Sequence, residues 1–184
     1  MKEIGAIKAE KGMKVSELVR GMGGMGFGAE KIAFASGIMK EMFEDKECKV
    51  FLGVAGAMVP AGMKEIIIDI LDNADVFVTT GANLTHDLIE SLGEKHYKND
   101  ETLDDEGLNK NGLDRIYNVL MPNKVYEELE NFFERHFNEL KESGSIKEFL
   151  FRIGGILSRQ GKKGILVKCY EKKIPLFCPG IADS

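Results

Sequence analysis

The sequence predicts an α/β fold in which a parallel sheet is flanked by helices, and three observations carry that expectation. Short apolar runs at 49–53, 75–80 and 174–178 have the length and the β-branched or aromatic content of buried strands. Between the first two, residues 63–73 repeat apolar positions at helical spacing, so a βαβ unit with a right-handed crossover is expected. Glycines and other small residues follow each strand, where open α/β sheets place their ligand-binding groups. The 184 residues, 43% hydrophobic and 30% charged, can bury one sizeable core, so a single domain over 1–184 is expected.

Taken in order, Ser16 is placed to cap a short helix over 17–20, and the glycine-rich run 21–28 interrupts it before an apolar-patterned helix over 29–44. The strand at 49–53 leads into a loop of small residues, 53–62, then the helix 63–73 and the strand 75–80. A further helix begins near Thr85, and the polar, glycine-punctuated stretch 96–110 reads as a surface excursion. Pro122 precedes a long amphipathic helix over 123–139. Another helix spans 145–158, its middle weakened by Gly154 and Gly155. Residues 164–170 favour a helix or strand of a crossover, and the strand 174–178 runs into a loop at Pro179 and Gly180.

A net charge of −5 argues against a general nucleic-acid binder, and no DNA partner is expected. Cys48, Cys169 and Cys178 are odd in number and lack short metal-ligand spacing, so reduced packing residues are preferred to a disulfide framework or a metal site. The N-terminus lacks the apolar run of a signal peptide, and nowhere do eighteen apolar residues follow one another. A soluble cytoplasmic protein with no membrane partner is therefore expected.

Two glycine motifs compete as phosphate cradles. Gly21-x-Gly23-x-x-Gly26 matches a dinucleotide fingerprint, but an amphipathic segment precedes it where the fingerprint needs a strand, so a connection between helices is favoured. The loop 53–62 has the better context, since it follows a strand and precedes a helix whose N–H groups could face a phosphate. Ala55, Gly56 and Ala57 would let a planar or phosphorylated ligand approach the backbone; ordinary close packing of helix on sheet remains an equal reading. Residues 79–83 repeat the placement at the next strand end. Shortly beyond them, His86 lies beside Asp87 and could bind substrate or move protons, although a capping or surface histidine is the commoner case. His96 and His136 are expected to be solvated. No spacing supports a catalytic triad or a metal cluster.

Several of these segments together resemble the N-terminal part of deoxyhypusine synthase in its archaeal form. They are V-S-E-L-V-R-G-M-G-G-M-G-F-G-A at 15–29, F-L-G-V-A-G-A-M-V-P-A-G at 51–62, D-V-F-V-T-T-G-A-N-L-T-H-D-L at 75–88, N-K-N-G-L-D-R-I-Y-N-V-L-M-P-N at 109–123 and I-P-L-F-C-P-G-I-A-D-S at 174–184. The resemblance covers nearly the whole chain and keeps its segments in order. It implies a Rossmann-like α/β enzyme that uses NAD to oxidise spermidine, holds the aminobutyl fragment as an imine on a lysine, and transfers it to a lysine of the hypusine-bearing translation factor. It also implies a tetramer-like oligomer with shared sites. Cofactor contacts carry over to Gly56, Ala57, Met58, Val59 and Pro60, to Thr80, Gly81 and Ala82, and to Asp183.

Thr85 and His86 align with an acidic pair of eukaryotic members that helps to hold NAD and the polyamine, and are expected to bind substrate. The larger departure follows Asp183, where full-length relatives continue to a polyamine-facing histidine and the imine-forming lysine. No lysine here aligns with the latter, so no catalytic residue is assigned to this chain. The expectation is a single NAD-binding α/β domain, incomplete without a C-terminal segment and completed by a second polypeptide in a two-piece synthase inactive without it. The alternative is a non-catalytic paralogue that binds and regulates or stabilises a full-length synthase.

Overall fold

The structure is a computed structural model and describes residues 1, 3–99 and 104–181. The chain divides into two compact units, Met1–Val50 and Phe51–Ser184.

The first unit holds α1 (Val15–Gly21), a 3₁₀ turn (Met22–Gly24) and α2 (Phe27–Glu44). Lys14, not Ser16, occupies the N-cap of α1, and its backbone N–H donates to the Glu17 carboxylate at 2.9 Å. The glycines of the apparent fingerprint lie at the end of α1 and in the connection to α2, where Gly21, Gly23 and Gly26 pack against side chains and the neighbouring Gly24 packs backbone on backbone with Gly5. Gly5 N–H donates to the Gly24 carbonyl at 2.7 Å, and a Cβ on Gly21 would overlap the Ile7 side chain. No residue of α1 or α2 is buried.

The second unit opens with β1 (Phe51–Val54), a π-type turn (Val59–Met63), α3 (Lys64–Ile70) and β2 (Val76–Thr79). Then follow α4 (Gly81–Leu92), β3 (Tyr97–Lys98), α5 (Asp105–Lys110), β4 (Leu113–Ile116) and β5 (Val119–Pro122). The chain closes with α6 (Val125–Leu140), α7 (Ile146–Arg159), α8 (Ile165–Lys172) and β6 (Leu176–Phe177). The main sheet is parallel in the order β1–β2–β6, with Leu52 opposite Phe77 and Phe77 opposite Leu176. Its central strand buries Phe77 completely, and Ile67, Leu71, Leu88, Ile89, Ile153 and Leu166 from the surrounding helices close the core over it. The expected α/β fold with flanking helices is thus present. The outer strands leave Phe51 and Phe177 exposed.

A second sheet, antiparallel in the order β3–β5–β4, was not expected; β3 lies in the polar stretch 96–110, and β4 and β5 lie between it and α6. Its hairpin turns through Tyr117 at φ 57°, a left-handed position where sequence cues look for glycine or asparagine. Of the helix or strand expected over 164–170, the structure has the helix: α8 begins at Ile165, with Gly164 at its N-cap.

Gly154 and Gly155 serve a purpose that helix propensity hides: they let α7 and α8 approach closely. A Cβ on Gly154 would overlap the Leu166 carbonyl oxygen and stand 2.9 Å from Tyr170 Cβ. Gly154→Ala is therefore expected to destabilise the fold by about 2 kcal/mol, because overpacking against backbone outweighs the gain in propensity. Urea unfolding measures it, and a neutral or stabilising result would show that the two helices can part without cost.

Candidate functional site at adjacent strand ends

The carboxyl ends of β1 and β2 lie side by side because Val54 pairs with Thr79. After β1 the chain turns at Gly56, whose φ of 75° is a conformation that L side chains rarely adopt. No atom lies within 4 Å of a Cβ built there, so the turn faces open space. After β2, Thr80 is extended and caps α4, which begins at Gly81, four residues before the expected start near Thr85. A twelve-residue helix therefore presents its N-terminus beside the glycine turn, an arrangement that favours negative charge.

Beneath this surface, Asn83 joins the two strand ends. It is 1% exposed; its Oδ1 accepts the Val59 N–H at 3.2 Å, and its Nδ2 donates to Thr79 Oγ1 at 3.2 Å. Thr79 Oγ1 in turn donates to the Val54 carbonyl at 2.8 Å. Val59 and Pro60 are buried, and the Val59 amide is already engaged by Asn83. Of the loop residues expected to contact the cofactor, Gly56, Ala57 and Met58 are exposed, as is Ala55 before them. Sequence reasoning passed over Asn83 as a site residue because its partners lie up to 29 positions away.

Gly81 and Thr85 line a cavity of about 160 Å³ with Leu129, Phe149 and Ile181. The loop after β6 therefore returns to the α4 N-terminus. Asp183 lies outside the described residues. His86, the next residue along the helix from Thr85, does not join that cavity: its Nδ1 meets His96 Nε2 at 2.8 Å. His96, expected to be solvated, keeps only 6% of its side chain exposed, and its Nδ1 donates to Glu90 Oε1 at 2.9 Å.

A second buried network begins at Lys64, which lies 3.1 Å from Asp87 Oδ1 and 3.5 Å from Glu90 Oε2. The two Asp87 carboxylate oxygens also accept the Ile165 and Leu166 amides at 2.8 and 3.0 Å, capping α8. Burial pushes the Asp87 carboxyl up, while Lys64 and the two amides pull it back. The buried cysteines are unlike reactive thiols; burial raises Cys169 to about 12.

Burial, aided by His96, lowers His86 from 6.5 to about 4. The unfolded chain thus takes up this proton first as the pH falls, and stability is lost between pH 6.5 and 4. Allowing for screening of a half-exposed ring, the loss is about 1 kcal/mol. His86→Gln is expected to flatten that part of the stability profile, measured by urea unfolding across the window; an unaltered slope would remove His86 as its source.

A parallel sheet with a glycine turn and a helix N-terminus at neighbouring strand ends makes this a Rossmann-like α/β protein. Comparison with known proteins narrows the class. The sequence model described as "DS: Deoxyhypusine synthase" matches residues 17–184. A probable deoxyhypusine synthase of Methanosarcina thermophila is 40% identical over 180 residues, spanning 96% of this chain and 56% of the relative. One from Methanothermobacter thermautotrophicus is 36% identical, spanning 95% and 58%. A deoxyhypusine synthase-like protein of Chlorobaculum tepidum is 36% identical, spanning 92% and 50%. The chain belongs to the deoxyhypusine synthase family, and it spans about half the length of these curated relatives. Among the described residues no helix is long and apolar enough to cross a membrane.

Proposed function

We propose that this chain supplies the NAD-binding part of a deoxyhypusine synthase, which transfers the aminobutyl group of spermidine to a lysine of the hypusine-bearing translation factor. The observation that carries the proposal is the open turn at Gly56 beside the N-terminus of α4, in a chain whose family is established. The residues fit the cofactor: Gly56, Ala57 and Met58 offer backbone that a planar or phosphorylated group can approach. The α4 N-terminus at Thr80, Gly81 and Ala82 favours a pyrophosphate. Val59 and Pro60 contribute by fixing the turn from within the core, and Asp183 is assigned to the ribose hydroxyls. When bound, NAD accepts and returns the hydride.

Thr85 and His86 are proposed to hold the polyamine from two sides of α4. The imine-forming lysine is assigned to a second polypeptide, with which this chain forms a tetramer-like cytoplasmic assembly. The buried Lys64 is no substitute, because Asp87 and Glu90 hold it as a paired cation, whereas a nucleophilic lysine must be neutral.

The test is deoxyhypusine formation from spermidine, NAD and the translation-factor precursor, with native mass spectrometry identifying every chain present. Turnover is expected only when the polypeptide carrying the C-terminal portion is added. Turnover by this chain alone would overturn the two-chain reading, and a verified but inactive complex would favour the regulatory paralogue.

A further inference from the structure

The hydrogen bonds from Glu90 through His96 to His86 have a direction, and that direction determines what His86 offers a ligand. Burial pushes the Glu90 carboxyl up, but His96 and Lys64 beside it outweigh burial and hold it below the usual range, so it is an acceptor only. His96 Nδ1, 2.9 Å away, must carry a hydrogen. A neutral imidazole has one N–H, so the Nε2 of neutral His96 is a bare acceptor. The 2.8 Å contact then requires His86 Nδ1 to donate, and neutral His86 is left with a bare Nε2. The rings meet edge to face, 4.8 Å between centroids and 64° between planes, an arrangement that is compatible with the N–H···N bond.

Among the described residues, His86 Nε2 has no hydrogen-bond partner, and the ring is half-buried about 9 Å along α4 from Thr80. We propose that Glu90 and His96 are positioning residues that fix His86 as its Nδ1–H tautomer, so that Nε2 accepts a hydrogen bond from an ammonium or amine N–H of a polyamine. This rests on the synthase reading for the identity of the ligand; the tautomer itself does not. A second proton on His96 would reverse the chain, since His96 Nε2 would then donate to His86 Nδ1 and the hydrogen of neutral His86 would occupy Nε2. The charged groups facing the pair are Glu90 on α4 and, through it, Lys64 on α3, with Asp87 beyond.

The experiment is long-range proton–nitrogen NMR of the chain labelled at histidine, combined with spermidine kinetics of the complete complex. In the wild type, with His96 neutral by its own titration, His86 is expected to be protonated at Nδ1 and bare at Nε2. His96→Phe and Glu90→Gln should each give a mixture of tautomers, and His96→Gln, whose amide oxygen can accept, should restore the single one. In the complex, His96→Phe should raise the spermidine KM by about tenfold with kcat changed less, as expected for one lost hydrogen bond to a charged group. An Nε2–H tautomer in the wild type, or an unchanged KM in an active complex, would overturn the proposal. The NMR measurement needs neither cofactor nor substrate, so it is decided independently of whether the complex makes deoxyhypusine.

Discussion

Asp87→Ala is expected to destabilise the protein by about 3–5 kcal/mol, because it removes one partner of a buried ion pair and leaves the other charge in the interior. Asp87 is fully buried, and three donors converge on it: Lys64 Nζ at 3.1 Å and the amides of Ile165 and Leu166 at 2.8 and 3.0 Å. Without the carboxylate, Lys64 keeps, among the described residues, Glu90 and Ser91 within reach of its side chain, besides the Asp87 carbonyl. The first turn of α8 loses both amide partners. Gly164 belongs to the same device, since a Cβ there would overlap Ser91 Oγ and stand 2.8 Å from Asp87 Oδ1. The carboxylate from α4 reaches the end of α8 only because position 164 is empty. Urea unfolding followed by circular dichroism measures the effect; a loss below about 1 kcal/mol would mean that α8 is held without this cap.

Gly56→Val is the second large effect, and it acts through the backbone. The sequence alone suggests that a branched side chain would fill space needed by the cofactor. The structure gives another reason: the space around a Cβ is open, but φ is 75°, where a β-branched residue is strongly disfavoured. Valine should drive the turn out of its left-handed conformation and displace Ala57 and Met58. The expected loss in NAD affinity of the assembled enzyme is about 2–3 kcal/mol, roughly thirty- to hundred-and-fifty-fold. Gly23→Ala is the matched control, because a Cβ there meets Ala33 at an ordinary 3.5 Å and the position lies in a connection between helices.

Much of the parallel core was legible from local pattern. The apolar runs around Phe51, Phe77 and Leu176 become its three strands, and the periodicity of 145–158 becomes α7 with Ser145 at its cap. Short strands without such runs were not legible: β3 has two residues, both exposed, and the β4–β5 hairpin turns on a tyrosine. At the site, the small and hydroxyl residues at the two strand ends were legible as such, although the helix that Thr80 caps was expected to begin only near Thr85. Asn83, Lys64 and His96 were not. Asn83 and Lys64 read locally as ordinary loop and helix residues, and what sets them apart is a buried partner about 23–29 positions away. His96 is closer to its partners, but it sits in a polar stretch whose composition alone implies solvent.

The most direct test of a cofactor site at the ends of β1 and β2 is calorimetric titration of NAD into the complete complex carrying Gly56→Val, Gly23→Ala or neither substitution. Affinity is expected to be lost with Gly56→Val and retained with Gly23→Ala. Equal affinities for all three, or a loss confined to Gly23→Ala, would contradict this site and place the cofactor elsewhere.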